Sequence, residues 1–180
     1  MIRRLPAVLI LVLLMLLTAN CTVVDSAFGT LTITWSSQSM EPTIKQGTKV
    51  SARRTEGGYT PRRGDIIVYR APEDWTAHRA GGTYLSRVIG VPGDRAACCD
   101  NPSAALQVNG VLVKEPFITR GAASARWFDI TVPPDRIWVM SDNRDIALDS
   151  RAEMDKAGGG TIERSAVLAV VEDEDTHHVP

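Results

Sequence analysis

The chain has 180 residues, which is enough for a short membrane anchor and one domain with its own hydrophobic core. Its 20 basic and 21 acidic residues leave a net charge of -1, and this near-neutrality argues against a nucleic-acid partner, which normally requires a basic face. With 14 glycines, 10 prolines and only 6% aromatic residues, the composition favours short strands between frequent turns over long helices.

The N-terminal segment has the features of a membrane anchor. Arg3 and Arg4 precede an uncharged, mostly apolar stretch at 5–24, and about 20 such residues are needed to span a bilayer. A cleaved secretory signal is the alternative, because the residues before Cys21 resemble a lipoprotein processing box, although Asn20 stands where a small residue is expected. We favour the uncleaved anchor, with the arginines in the cytoplasm and the remaining chain outside.

After the anchor, the chain has the pattern of a series of short strands. Residues 31–35 alternate threonine with apolar residues, which is the period of a half-buried strand. Asn109-Gly110 lies between two short apolar runs and is the strongest short-range signal for a hairpin. The predicted strands are 31–35, 48–53, 65–70, 85–91, 106–108, 111–113, 127–132, 136–140 and 166–171, with loops at 73–83 and 119–125. The predicted organisation is a cytoplasmic tail at 1–4, the anchor at 5–24, one β-rich domain at 25–172 and a flexible tail at 173–180.

The cysteines and the C-terminal histidines do not indicate a metal site, and the sequence predicts no cofactor. Cys98 and Cys99 are adjacent, which is too tight a spacing for a metal-binding CxxC pair, and no further cluster of ligands is visible. The sequence leaves open whether these two residues form a disulfide or remain thiols. His177 and His178 lie in the predicted tail, where solvation is the simpler interpretation.

Four short segments carry most of the functional signal. They are Ser-Gln-Ser-Met-Glu-Pro-Thr at 37–43, Arg-Gly-Asp-Ile-Ile-Val-Tyr at 63–69, Arg-Val-Ile-Gly-Val-Pro-Gly-Asp at 87–94, and Ser-Asp-Asn-Arg-Asp at 141–145 followed by Asp-Ser-Arg at 149–151. With these segments in this order and at plausible spacing, the chain resembles bacterial signal peptidase I, a family of serine peptidases (S26). The resemblance extends to about residue 171. It implies a mostly β fold, in which an N-terminal transmembrane helix precedes a domain of coiled antiparallel β-sheets.

By this resemblance, the first segment contains a nucleophilic serine and its oxyanion site. Ser39 matches the nucleophile, and a serine hydroxyl needs both a base to remove its proton and hydrogen-bond donors for the oxyanion. Ser37 matches the side-chain oxyanion donor, and the backbone N–H of Ser39 is the second donor. Met40 and Pro42 lie beside the nucleophile and are expected to contact substrate. Gln38 stands where the family often has glycine.

The fourth segment is expected to support the site rather than to react. A carboxylate and a guanidinium two residues apart, as in Asp149 and Arg151, can brace the turn that carries an active-site strand. Asp142 and Arg144 are expected to close backbone hydrogen bonds in the tight turn that precedes this pair.

One departure from the family pattern affects the chemistry directly. The family has lysine just before the Arg-Val of the third segment, where burial lowers the lysine pKa and lets it accept the serine's proton. This chain has Ser86 there, and the serine that supports the family's lysine falls at Ala147. His78 is a weak substitute because it lies eight residues upstream in a predicted loop. Lys45 and Lys49 follow the nucleophile closely but are more simply interpreted as solvated charges.

The sequence supports two main functional hypotheses. The first is a single-pass serine endopeptidase of the cell membrane, with its catalytic domain outside the cytoplasm, that cuts signal-peptide-bearing preproteins after small-residue motifs of the Ala-x-Ala type. The second is an inactive relative that keeps the groove and binds extended peptide segments or an active peptidase. A lipoprotein or secreted β-domain unrelated to proteolysis is a third alternative. The expected partners are preproteins and membrane lipid, and not nucleic acid.

Overall fold

The computed structural model describes residues 29–56, 58–79, 81–100, 103–118 and 121–172. The predicted tail at 1–4, the anchor at 5–24 and the C-terminal tail at 173–180 lie outside the described residues. Within the described ranges, no helix combines the length and the apolar character needed to cross a bilayer. Of the described residues, those from Leu31 onward belong to one compact unit.

The regular structure of the described residues consists mainly of two sheets of short strands. The larger sheet has seven strands in the order β1-β2-β11-β3-β4-β9-β10, and the smaller has four in the order β7-β6-β5-β8. The strands are β1 (Thr30–Thr34), β2 (Lys49–Arg54), β3 (Ile66–Arg70), β4 (Thr83–Gly90), β5 (Arg95–Cys98), β6 (Gln107–Val108), β7 (Val111–Leu112), β8 (Phe128–Thr131), β9 (Arg136–Met140), β10 (Ile162–Glu163) and β11 (Val167–Val171). Two 3₁₀ turns, Ser150–Glu153 and Arg164–Ala166, lie in the C-terminal third. From β2 onward all pairings are antiparallel, so the mostly β, antiparallel prediction is confirmed.

The sequence of β3 explains its place in the middle of the larger sheet. Ile67 and Tyr69 pack into one buried apolar cluster, and Ile66 and Val68 pack into another, so both faces of the strand are covered. A continuous apolar run of this length, without polar alternation, is the pattern of a fully buried strand. Each aliphatic side chain buried in this way contributes about 1.5–3 kcal/mol relative to leaving it exposed.

The hairpin predicted at Asn109-Gly110 is confirmed. Strands β6 and β7 pair antiparallel with Val108 opposite Val111. The two residues between them have φ of 54° and 79°. Positive φ at both central positions is what a two-residue type I′ turn requires, and Asn and Gly tolerate it best.

Two strands, β5 and β10, are missing from the sequence prediction. The sequence of β5, Arg-Ala-Ala-Cys, has no β-branched or aromatic residue, so its strand propensity is weak. Pairing with β6 on one side and β8 on the other holds β5 in place. At the end of β5, the sulfur atoms of Cys98 and its neighbour Cys99 are in contact, as a disulfide between adjacent residues requires.

Candidate active site

Ser39 lies in the turn between β1 and β2, and buried contacts fix this turn. Met40 is fully buried, and its carbonyl accepts a hydrogen bond from the N–H of Ile44 at 2.9 Å. The carbonyl of Ser39 accepts a hydrogen bond from the N–H of Asn143 at 2.9 Å, which connects the turn to the segment after β9. Ser39 itself is partly exposed, so it remains accessible from solvent on this hydrogen-bonded turn.

The two predicted oxyanion donors are hydrogen-bonded to each other. The backbone N–H of Ser39 donates to Oγ of Ser37 at 3.1 Å. The two groups are therefore close together, but the N–H already has an acceptor. A substrate oxygen would have to replace the Ser37 oxygen at that N–H. Because a hydroxyl rotates freely, Ser37 could then turn and donate to the same substrate oxygen.

One cavity of about 270 Å³ brings together three of the predicted site residues, Ser37, Ser39 and Ser86. Its other polar lining residues include Tyr69, His78 and Ser141, and its apolar ones include Trp35, Tyr84, Leu85, Ile146 and Leu148. Ile146 and Leu148 are 54% and 55% exposed, so they form the solvent-facing side of the cavity. The cavity is thus an apolar pocket with several hydroxyl groups and one imidazole in its wall.

Hydroxyl groups surround the position where the resemblance expects lysine. Ser86 is buried, and its Oγ lies 2.9 Å from Oγ of Ser141 and 3.4 Å from the phenol oxygen of Tyr69. Burial raises the pKa of the Tyr69 phenol, so this group stays protonated at neutral pH. Neutral hydroxyls can donate and accept hydrogen bonds, but none of these three can take a proton from another serine. Position 86 therefore offers no general base.

His78 enters the cavity wall from the loop between β3 and β4. Its Nδ1 lies 3.5 Å from Oε1 of Glu153, and the two side chains are 1% and 0% exposed. The imidazole packs against the rings of Trp75 and Tyr84, with centroids 4.9 Å and 4.3 Å away. The sequence correctly predicts a loop here but does not predict that the loop folds the imidazole inward. The contact with Glu153 joins positions 75 residues apart, so no local sequence pattern around His78 predicts it.

A buried ion pair and its hydrogen-bond partners connect all four signature segments. The guanidinium of Arg87 donates two hydrogen bonds to Asp142, from Nε at 2.9 Å and from Nη2 at 2.6 Å, and a third to the carbonyl of Gly64 at 2.9 Å. The hydroxyl of Thr43, in the turn that carries the predicted nucleophile, donates to the same carboxylate at 2.6 Å. The ring of Phe117 lies 4.3 Å from the guanidinium carbon. Asp142 therefore joins the Ser39 turn, β4 and the segment after β9 in one network.

The remaining predicted support residues also make buried polar contacts. Asp149 accepts two hydrogen bonds from the Arg151 guanidinium at 2.8 Å each and one from the N–H of Ser141 at 3.0 Å. Arg144 donates to the carbonyl of Ser141 at 2.9 Å and forms an ion pair with Glu115. These contacts fix the backbone on both sides of Ser141, whose hydroxyl faces Ser86.

The two residues predicted to contact substrate, Met40 and Pro42, do not line the Ser39 cavity. Met40 is fully buried in a core cluster, and it lies beneath the turn rather than in the wall of the Ser39 cavity. Pro42 is exposed and lines a separate, shallower cavity together with Phe117. Lys45 and Lys49 are exposed, and neither lines the Ser39 cavity, in line with their interpretation as solvated charges.

The described site thus combines a partly exposed serine, a second hydroxyl beside it and an apolar cavity in an antiparallel β-domain. The sequence profile of the family described as "Signal peptidase, peptidase S26" matches residues 2–172. The chain therefore belongs to that family.

Curated relatives carry the signal peptidase I name. "Signal peptidase I" of Mycobacterium tuberculosis (strain ATCC 25618 / H37Rv) is 29% identical over 157 residues, covering 64% of this chain and 53% of the relative. "Signal peptidase I P" of Bacillus subtilis subsp. natto is 32% identical over 126 residues, covering 63% and 62%. A crystal structure of a signal peptidase I from Enterococcus faecalis V583 is 25% identical with a TM-score of 0.49, covering 63% of this chain and 98% of that one. The chain thus spans between half and two thirds of the length of these curated relatives.

Proposed function

We propose that the protein is a serine endopeptidase, anchored in the cell membrane by residues 5–24, that removes signal peptides from exported preproteins with Ser39 as its nucleophile. The observation that carries the proposal is the shared cavity of Ser37 and Ser39, with its apolar lining. Membership of the signal peptidase family and the signal peptidase I relatives support the substrate class.

The edge of β4 next to this cavity supports an extended peptide as substrate. Residues 83–86 pair with β3, whereas pairing with β9 begins only at Arg87, opposite Met140. In the described registers, the side of 83–86 that faces away from β3 therefore has no strand partner. A peptide can add to such an edge as a further strand, with main-chain hydrogen bonds giving affinity and side-chain pockets giving specificity. The adjacent apolar cavity suits the small side chains of an Ala-x-Ala motif.

In the proposed reaction, Oγ of Ser39 attacks the carbonyl carbon of the scissile peptide bond. The backbone N–H of Ser39 and the hydroxyl of Ser37 then hold the oxyanion that forms on the carbonyl oxygen. Anchoring places enzyme and membrane-bound precursor on one surface, which raises their effective concentration. The attack also needs a proton acceptor, and this cannot be the hydroxyl at position 86.

The hydroxyls around position 86 favour a second candidate function. Ser86 and Ala147 replace both the expected base and its supporting serine. A family member without a base would keep the cavity and the open edge of β4, and would bind extended segments of exported proteins without cutting them.

Cleavage of a purified precursor with an Ala-x-Ala site separates the two candidates. The comparison uses the full-length wild type, Ser39→Ala and the double variant Ser86→Lys/Ala147→Ser. The endopeptidase proposal predicts cleavage by the wild type and none by Ser39→Ala. Cleavage by the double variant alone would instead show that the peptide groove is intact and that the wild type lacks a general base. Cleavage that persists in Ser39→Ala would exclude this serine as the nucleophile.

A further inference from the structure

The proposed peptidase lacks a base at position 86, and a histidine outside the signature segments can supply one. We propose that His78, oriented by Glu153, is the general base that removes the proton from Ser39. This inference rests on the proposed function, since it assigns the proton acceptor for the same reaction. His78 and Ser39 line the same cavity of about 270 Å³, and the imidazole forms part of its buried wall.

The contact with Glu153 determines which ring nitrogen can act as the base. A carboxylate only accepts hydrogen bonds, so the 3.5 Å contact between Nδ1 of His78 and Oε1 favours the tautomer that carries its proton on Nδ1. The lone pair of the neutral imidazole is then on Nε2, at the opposite end of the ring. Trp75 and Tyr84 pack against the imidazole and restrict its rotation. An acidic residue that fixes the histidine tautomer plays the same part in other serine hydrolases.

Glu153 also provides a negative charge that would stabilise an imidazolium at His78. Its side chain is fully buried and accepts hydrogen bonds from the N–H groups of Thr76 and Ala77 at 3.1 Å and 2.7 Å. Within the described part of the chain, no lysine or arginine side chain forms an ion pair with it. A positive charge that forms on His78 during the attack would therefore face a buried negative charge, and in this poorly solvated place the attraction is strong.

With His78 as base and then as acid, every proton transferred in the reaction has a donor and an acceptor. As Oγ of Ser39 bonds to the carbonyl carbon, its proton passes to Nε2 of His78, directly or through one water molecule. The imidazolium then gives this proton to the leaving nitrogen as the C–N bond breaks and an acyl-serine remains. A water molecule next attacks the acyl carbon while His78 takes its proton. That proton returns to Oγ of Ser39 when the ester bond breaks.

The titratable groups near the imidazole are few in the described residues. Glu153 approaches from the 3₁₀ turn Ser150–Glu153, and Tyr84 packs against the ring from β4. Tyr69, on β3, lines the same cavity, and burial raises the pKa of its phenol and keeps it neutral. Arg79 follows on the same loop but is exposed. The carboxylate of Glu153 is therefore the charge that acts most directly on His78.

Steady-state cleavage of the Ala-x-Ala precursor by full-length variants tests the assignment. His78→Gln is expected to lower kcat by about 10²–10⁴-fold at unchanged KM. If His78 is the base, the wild-type kcat is expected to rise with pH, and this rise should be absent from the residual activity of His78→Gln. Arg79→Gln, the matched change at the next residue of the loop, should cleave like the wild type. His78→Ala leaves space in the cavity wall, and added imidazole should restore part of its cleavage.

The possible outcomes show separately whether the assignment of His78 as the base fails and whether the peptidase proposal fails. Cleavage at the wild-type rate by His78→Gln overturns the assignment of the base and leaves the peptidase proposal intact. A loss of cleavage that comes with a lowered melting temperature, and that imidazole does not restore in His78→Ala, shows a structural role and also overturns it. If the wild type does not cleave while Ser86→Lys/Ala147→Ser does, both the peptidase proposal and the base assignment are wrong.

Discussion

Replacing Asp142 with asparagine should destabilise the fold far more than the same change at a surface ion pair. Asp142 accepts two hydrogen bonds from Arg87 at 2.9 Å and 2.6 Å and one from Thr43 at 2.6 Å. Asparagine keeps the shape and one oxygen, but it has no charge and cannot accept both guanidinium hydrogen bonds. The Arg87 side chain is 3% exposed, so its buried positive charge would lose the carboxylate of Asp142 that now pairs with it.

Burial and network size determine the expected magnitude. Removing one partner of a buried ion pair costs about 3–5 kcal/mol, because the remaining charge stays desolvated. For a chain of this size, each kcal/mol lowers the melting temperature by about 2–4 °C, so the expected shift is about 6–20 °C. The effect should reach the active site as well, because Thr43 loses part of the contact that holds the Ser39 turn.

Thermal unfolding of the full-length protein in detergent, followed by near-UV circular dichroism of its four tryptophans, measures this shift. Asp135→Asn is the matched control, since Asp135 pairs with Arg164 at 3.0 Å while their side chains are 75% and 51% exposed. An exposed pair contributes only about 0–1 kcal/mol. Equal melting temperatures for Asp142→Asn and Asp135→Asn would refute the reasoning, because the buried network would then contribute no more than a surface contact.

Two further predictions concern the oxyanion site and a glycine turn. Ser37→Ala should lower kcat for precursor cleavage by about 10²–10³-fold at unchanged KM, because it removes one oxyanion donor; a change in KM alone, measured by steady-state kinetics, would contradict that role. Gly160→Ala should lower the melting temperature much more than Gly159→Ala. Both glycines have positive φ, so alanine is strained at either position. A Cβ at Gly160 would also overlap the carbonyl oxygen of Ser150 and lie 3.0 Å from the Trp138 ring, whereas a Cβ at Gly159 meets no atom within 4 Å. Equal melting temperatures for these two variants would show that backbone strain, and not the steric overlap, determines the loss of stability.

Elements with a strong local signal could be predicted from the sequence. The continuous apolar run of β3 and the Asn109-Gly110 turn each specify their structure within a few residues. β5 could not be predicted in this way, because its alanines have low strand propensity and pairing with β6 and β8 decides its conformation. Tertiary context thus overrides local preference in this strand.

The same distinction applies to the candidate site. The motif at 37–43 predicts Ser37 and Ser39 as site residues because it is local and specific, and both residues line one cavity. The roles of Met40 and His78 depend on the direction in which each side chain points, and the sequence does not contain that information. Met40 lies next to the predicted nucleophile but points into the core. His78 lies in a loop of ordinary composition and reaches the cavity only because Glu153, distant in sequence, meets it there.

The most direct test of the central claim is a covalent one. Full-length protein in detergent is incubated with a peptide phosphonate that ends in Ala-x-Ala, and the adduct is located by intact-mass and peptide-mapping mass spectrometry. Such a reagent bonds to a serine oxygen that an adjacent base activates. We expect one adduct per chain, on Ser39, formed by the wild type and not by Ser39→Ala. Absence of an adduct from the wild type, or an adduct on a different residue, would contradict it.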